Sequence, residues 1–162
     1  MPGKTRHLYY YRDVQVGFCF VDCPGYGYAK AAEREKEDWR RFMELYLRES
    51  AQLHRMNVLI DARRGVQQLD VDLFRALEER KLPYCITLTK ADKLKSPAEA
   101  ERAMQKAYED GAAGRIFCSP IVHLTSAHAG YGIEELKANL CYLDNFPVLK
   151  DTLPKDLRNQ SD

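Results

Sequence analysis

The sequence predicts an α/β fold: a mostly parallel sheet with helices on both faces and one antiparallel hairpin at the N-terminus. Three observations predict it. From residue 33 onward, short β-rich apolar runs alternate with longer stretches of helical periodicity, the pattern of strand–helix–strand units. Those runs (MNVLID, YCITLT, IVHLT) are nearly unbroken in apolar residues, as expected of a parallel sheet covered on both faces. Before residue 33 lie two strand-like segments, between which Arg12 and Asp13 can turn the chain into a hairpin.

Each element follows from local pattern. His7 to Arg12 is aromatic and strand-like, and Val14 to Asp22 (VQVGFCFVD) is its partner. A glycine-rich loop, Cys23 to Lys30 (CPGYGYAK), comes next. The spacing predicts a helix over Glu33 to Leu53, with Trp39, Phe42, Met43, Tyr46, Leu47 and Leu53 on one face. Met56 to Asp61 is a strand. Asp70 to Arg80 is a helix with Asp70 as its N-cap. Tyr84 to Thr89 is a strand. Ser96-Pro97-Ala98-Glu99 reads as a capping box with proline at the first helical position, opening a helix that runs to about Glu109. Ile121 to Thr125 is the last strand and Ile133 to Leu143 the last helix. The polar segment after Pro147 is expected to be loose. No internal repeat interrupts the chain, so one domain is expected.

The chain has 162 residues, 45% hydrophobic and 30% charged, with a net charge of +1. That balance gives no global electrostatic attraction to DNA, RNA or anionic membranes. No apolar run nears the ~20 residues of a membrane span, and MPGKTRHLYYYR has no hydrophobic signal core. Neither a membrane nor DNA is expected as a partner. The cysteines Cys19, Cys23, Cys85, Cys118 and Cys141 are odd in number and lack CxxC spacing. They read as buried small hydrophobes in a reducing compartment.

In open parallel sheets, ligands bind at the carboxyl ends of the strands. Four segments stand there: DCPG (Asp22 to Gly25), DARRG (Asp61 to Gly65), TKAD (Thr89 to Asp92) and TSA (Thr125 to Ala127). In TKAD, the Asp92 carboxylate offers two adjacent acceptors to the ring N–H and exocyclic amine of guanine, a pairing that adenine cannot make. Lys90 can lay its stem along the base. In DCPG, Asp22 can hold magnesium through water, and Gly25 can bring its N–H to a terminal phosphate. Backbone amides of TSA can meet the guanine carbonyl oxygen. DARRG matches no such role. Singly, each motif is equally at home as a polar loop after a strand. Their order along the chain carries the weight.

Together, VDCPGYGYAK, LTKADKL and TSAHAGYGIEEL resemble the EngB/YihA family of ribosome-assembly GTPases, over a span from Pro2 to about Leu143. The resemblance implies a P-loop GTPase domain over residues 1–146 and a polar tail over 147–162. It implies GTP or GDP with Mg2+ as ligand, and the large ribosomal subunit or its rRNA as partner. It places nucleotide contacts at Gly3, Lys4, Thr5, Arg6, His7, Asp22, Cys23, Pro24, Gly25, Thr89, Lys90, Ala91, Asp92, Thr125, Ser126 and Ala127, with Thr5 and Asp22 at the metal. In a eukaryote it implies a mitochondrial location, otherwise a cytoplasmic one.

Pro2-Gly3-Lys4-Thr5 ends like a phosphate-binding loop. It is not read as one: the preceding glycine is absent, and HLYYYR alternates like a strand where a helix should follow. PGKT instead resembles the family's first switch segment. The resemblance therefore implies an incomplete domain, whose first strand, phosphate loop and first helix lie upstream of this chain. Losing three to five charge-assisted bonds to the phosphates at ~1.5–3 kcal/mol each would remove on the order of 5–10 kcal/mol of binding. Hydrolysis in the complete domain would proceed by positioning and charge stabilisation around magnesium. Tyr26 follows Gly25 where some GTPases carry a water-orienting glutamine, so slow turnover is implied and no general base is assigned. Two further readings stand beside this one: a fragment that binds ribosome or RNA without nucleotide, and an unstable product without activity. Lys4, Arg6, Arg12, Arg34, Arg40 and Arg41 can contact RNA phosphates. With Glu33, Glu35, Glu37 and Asp38 interleaved, they equally suit a solvated charged face.

Overall fold

The computed structural model describes residues 8–12, 19–23, 25 and 33–141. The readings placed on Gly3 to His7, Pro24, Tyr26 to Lys30 and the tail from 147 lie outside the described residues. The chain divides into two compact units, one holding the described residues up to Leu53, the other beginning at His54.

In the first unit, β1 (Tyr9–Arg12) pairs antiparallel with β2 (Cys19–Asp22), Tyr9 opposite Asp22 and Arg12 opposite Cys19. The expected hairpin is there, with both described strands four residues long. Tyr9, Tyr10, Tyr11 and Phe20 are exposed. So is Cys19, against the expectation that the cysteines are buried. A two-stranded ribbon has no interior to put it in. Helix α1 (Glu33–Glu49) buries Met43 and half-buries Trp39, Phe42, Tyr46 and Leu47, the predicted face. It stops four residues before Leu53, where Ala51 N donating to Glu49 O and Leu53 N donating to Ser50 O replace the helical bonds.

The second unit is a three-stranded parallel sheet in the order β3 (Met56–Asp61), β4 (Tyr84–Thr89), β5 (Cys118–Leu124). Its helices are α2 (Gln68–Glu79), α3 (Pro97–Ala107), which continues as a π-helical turn to Ala112, and α4 (Ile133–Cys141). The central strand β4 is buried along nearly its whole length. Val58, Ile60, Tyr84, Ile86, Leu88 and Val122 fill one face, with Phe74 stacked on Tyr84 at 5.4 Å. The π-turn is drawn onto this face so tightly that a Cβ on Gly111 would stand 2.5 Å from Ile86 Cδ1.

The other face is less apolar than the runs suggested, because strand alternation puts every polar member on the same side. Thr87 Oγ1 donates to Asn57 Oδ1 at 2.7 Å, and Arg55, just before β3, donates to Asn139 of α4 at 2.7 Å. His123 is buried on this side, and burial lowers its pKa. Leu59 stays 60% exposed there.

Two boundaries and one capping bond differ from expectation for identifiable reasons. Asp70 is not the N-cap of α2 but its third residue, accepting from Gln67 N at 2.7 Å, so the helix starts at Gln68. Ser96 caps α3 by accepting from Glu99 N at 3.2 Å, but Glu99 reaches back to Lys95 N at 2.6 Å instead of to Ser96. Strand β5 begins three residues before Ile121 and contains Pro120. A proline is tolerated there because β5 is an edge strand.

Candidate guanine-base site

The carboxyl ends of β3, β4 and β5 meet at one end of the second unit, and the bonds between them start in the sheet. Thr125, just past β5, donates both its N–H (2.7 Å) and its hydroxyl (3.0 Å) to Leu88 O of β4. Ala91 N donates to Thr125 O at 3.0 Å. Thr89 Oγ1 donates to Ile60 O at 3.2 Å, and Ala62 N to Thr89 O at 2.9 Å. The two threonine hydroxyls therefore brace the loops against the backbone.

On this frame stands the acceptor. Ser126, fully buried, donates its hydroxyl to Asp92 Oδ1 at 2.6 Å and accepts from Ala129 N at 3.1 Å. Lys93 Nζ lies 3.2 Å from the other carboxylate oxygen. The Ser126 bond, followed by the Lys93 contact, lowers the Asp92 pKa below its ordinary value. The group is thus an anion at neutral pH, able only to accept. A carboxylate offers about four lone-pair sites, so two remain for a bidentate ligand.

The carboxylate opens on a cleft of about 470 Å3, lined by Thr89, Lys90, Asp92, Lys93, Thr125, Ala127, His128 and Ile133. Beyond Ala127 the chain returns through a bridge, Ser126 N donating to Tyr131 O at 2.9 Å. Gly130 and Gly132 take positive φ (70° and 67°) in this return. A Cβ on Gly132 would stand 2.0 Å from Leu124 O, so only glycine fits.

The fold thus brings Thr89, Lys90, Ala91 and Asp92 together with Thr125, Ser126 and Ala127. Asp22, Cys23 and Gly25 belong to the first unit. There Asp22 is exposed at the end of β2, and nothing stands within 4 Å of a Cβ placed on Gly25. Burial, with the neighbouring Asp22 charge second, pushes the Cys23 thiol up to about 11. Sequence reasoning missed Lys93, His128 and Ile133 in the cleft, and gave no role to Asp61 and Arg63. The one signal for the latter pair was DARRG at the end of an apolar strand.

No protein-family model matches the chain. A probable GTP-binding protein EngB of Rhodospirillum rubrum is 38% identical over 146 residues, 88% of this chain and 62% of the relative. The protein of the same description in Nitratidesulfovibrio vulgaris is 39% identical over 135 residues, 83% of this chain and 59% of the relative. The crystal structure of a probable GTP-binding protein engB superposes with a TM-score of 0.57 at 19% identity, covering 82% of this chain and 78% of that one. That likeness shows the fold. The chain spans about three fifths of the length of the curated relatives it matches. Along that span it is a homologue of the EngB GTP-binding proteins.

Proposed function

We propose that this chain carries the guanine-recognition part of an EngB-type GTPase. The observation that supports it best is Asp92, an anionic carboxylate oriented by buried Ser126 and lining a cleft of about 470 Å3, room enough for a purine base. Two remaining acceptor sites side by side suit the ring N–H and exocyclic amine of guanine. The left-handed Lys90 lets its stem serve as one wall. Ala127 also lines the cleft, and its N–H would meet the guanine carbonyl oxygen.

The wider activity follows the family. GTP or GDP is the ligand, hydrolysis proceeds by positioning and charge stabilisation, and the large ribosomal subunit is the partner. In a eukaryote the location would be mitochondrial. Bound Mg2+ would supply charge neutralisation at the phosphates. Among the described residues no three His, Cys, Asp or Glu side chains gather into a metal cage. A lone exposed carboxylate such as Asp22 fits a magnesium ion held largely by water and phosphate oxygens. Thr5 is the other candidate ligand. Asp22 would orient that hydrated ion, and Gly25 would offer its N–H where no side chain intervenes.

The test is a titration with fluorescent GDP, competed by unlabelled GDP or ATP. Weak but guanine-selective competition that is lost in Asp92→Ala is expected. Binding that ATP displaces as well as GDP, or that survives Asp92→Ala unchanged, would overturn the reading.

A further inference from the structure

The segment DARRG, which the guanine reading leaves without a role, is tied directly to the lysine of the base cleft. Lys90 has φ 61° and ψ 39°, a left-handed backbone unusual for a long side chain. Such a conformation persists where its surroundings hold it. Part of that hold is a salt bridge: Lys90 Nζ donates to Asp61 Oδ2 at 3.0 Å. Asp61 ends β3 directly opposite Thr89, the residue before Lys90.

Asp61 is itself fixed on several sides. Arg63 donates through Nε to Oδ1 at 2.9 Å and through Nη2 to Oδ2 at 2.6 Å, a bidentate fork. The Arg63 N–H adds a third bond, to Oδ1, at 3.1 Å. Arg64 N and Gly65 N both donate to Asp61 O, at 2.9 and 3.1 Å, and Gly65 closes the turn at φ 65°. The Asp61 side chain is 14% exposed, against 56% for Lys90. The anchor is therefore largely covered and held by several hydrogen bonds, while the lysine it holds would otherwise sample many rotamers in solvent.

We propose that Asp61 is a positioning residue for nucleotide binding: clamped by Arg63, it holds the Lys90 ammonium so that the lysine stem is already in place as a wall of the base cleft. Asp61 does not touch the base and acts only through Lys90. The inference rests on the guanine reading of that cleft.

The test compares GDP with IDP, whose base lacks the exocyclic amine, across a double-mutant cycle of Asp61→Asn and Lys90→Met. Ordering a rotamer-rich side chain at an interface corresponds to about three- to tenfold in affinity. Asp61→Asn is expected to weaken GDP and IDP by the same factor, about three- to tenfold, because the stem contacts both bases alike. In the Lys90→Met background it is expected to add nothing. If Asp61→Asn does not fold, Arg63→Ala loosens the same anchor from the solvent side and is expected to act in the same direction. Equal GDP affinity in wild type and Asp61→Asn, or an undiminished effect of Asp61→Asn in Lys90→Met, overturns the role of Asp61 alone. Asp92→Ala is run alongside: loss of the GDP-over-IDP preference there supports the guanine reading independently. A wild-type chain with no guanine preference overturns that reading, and this inference with it.

Discussion

Gly132 offers the sharpest test of how the base site is built. Two separate penalties meet any side chain there. Its φ of 67° is left-handed, which costs a non-glycine residue about 1–2 kcal/mol. Its Cβ would also sit 2.0 Å from Leu124 O, inside any possible contact, so backbone must move. The segment free to move is the return from Tyr131, and moving it breaks the Ser126 N to Tyr131 O bond, about 1 kcal/mol. Gly132→Ala should therefore cost about 2–4 kcal/mol, in the range of strained backbone changes. Gly130 is the internal control. Its φ is 70°, but nothing stands within 4 Å of its Cβ, so Gly130→Ala meets only the first penalty, about 1–2 kcal/mol. Urea denaturation of both variants measures the difference. Because the broken bond is one that holds Ser126, which orients Asp92, Gly132→Ala should also weaken GDP binding while Gly130→Ala does so less. Equal losses of stability in the two variants would refute the crowding at Leu124 O.

Three further outcomes follow from local geometry. Lys81 ends α2 with φ 55°, its N–H donating to Glu78 O and that of Leu82 to Leu77 O, the bond pattern of a left-handed helix C-terminus. Lys81→Gly should raise stability by about 0.5–1 kcal/mol in the same urea assay, and a loss would contradict the backbone assignment. Cys19 is exposed, whereas Cys85 and Cys118 are buried and burial raises both thiols, Cys118 to about 11. Mass spectrometry after alkylation at pH 8 should show Cys19 modified first, with Cys85 and Cys118 modified only on unfolding. Arg63 and Lys90 outweigh burial to hold the Asp61 carboxyl well below the usual carboxylate range, with the Arg63 side chain the largest cause. A depressed folded pKa contributes stability that is complete above about pH 4 and is lost as pH falls toward the folded value. Acid denaturation monitored by circular dichroism should therefore show a shallower slope below about pH 4 in Asp61→Asn.

The order of elements and all three strands of the parallel sheet were legible because apolar runs and helical spacing are local signals. So was the pairing of TKAD with TSA, since strand ends of one parallel sheet must gather on one side. What escaped reading depends on partners distant in sequence. Asp61 gains its role from Lys90, 29 positions on, and from a register that only the folded sheet sets. The polar face of the sheet was hidden because Asn57, Thr87 and His123 each sit singly within an apolar run. Only alternation across paired strands places them together. Asp70 looked like a cap because aspartate is a common one, but at the third helical position it serves the same exposed N–H groups from inside the helix. Cys19 was misjudged because its run GFCFVD reads as core sequence, although it lies on a two-stranded ribbon.

The proposed base site is tied together without any ligand: Thr125, Ala91, Ser126 and Ala129 are all held by hydrogen bonds within the second unit. Preorganisation gives selectivity but does not guarantee affinity. Two charge-assisted bonds from Asp92 to guanine supply roughly 3–6 kcal/mol in total at ~1.5–3 each. Association costs an estimated ~4–15 kcal/mol in lost freedom. The base contacts alone therefore leave a surplus of about 2 kcal/mol at most, whereas millimolar affinity requires about 4 kcal/mol. Guanosine should bind more weakly than millimolar, with amide shifts confined to the Lys90–Lys93 and Ser126–Ala129 loops in an NMR titration. Tighter binding of GDP must then come from the phosphates and whatever holds them. In that division Asp92→Ala alters which base is chosen. Micromolar affinity for guanosine would refute it, because the base contacts would then supply more than Asp92 and its neighbours can offer.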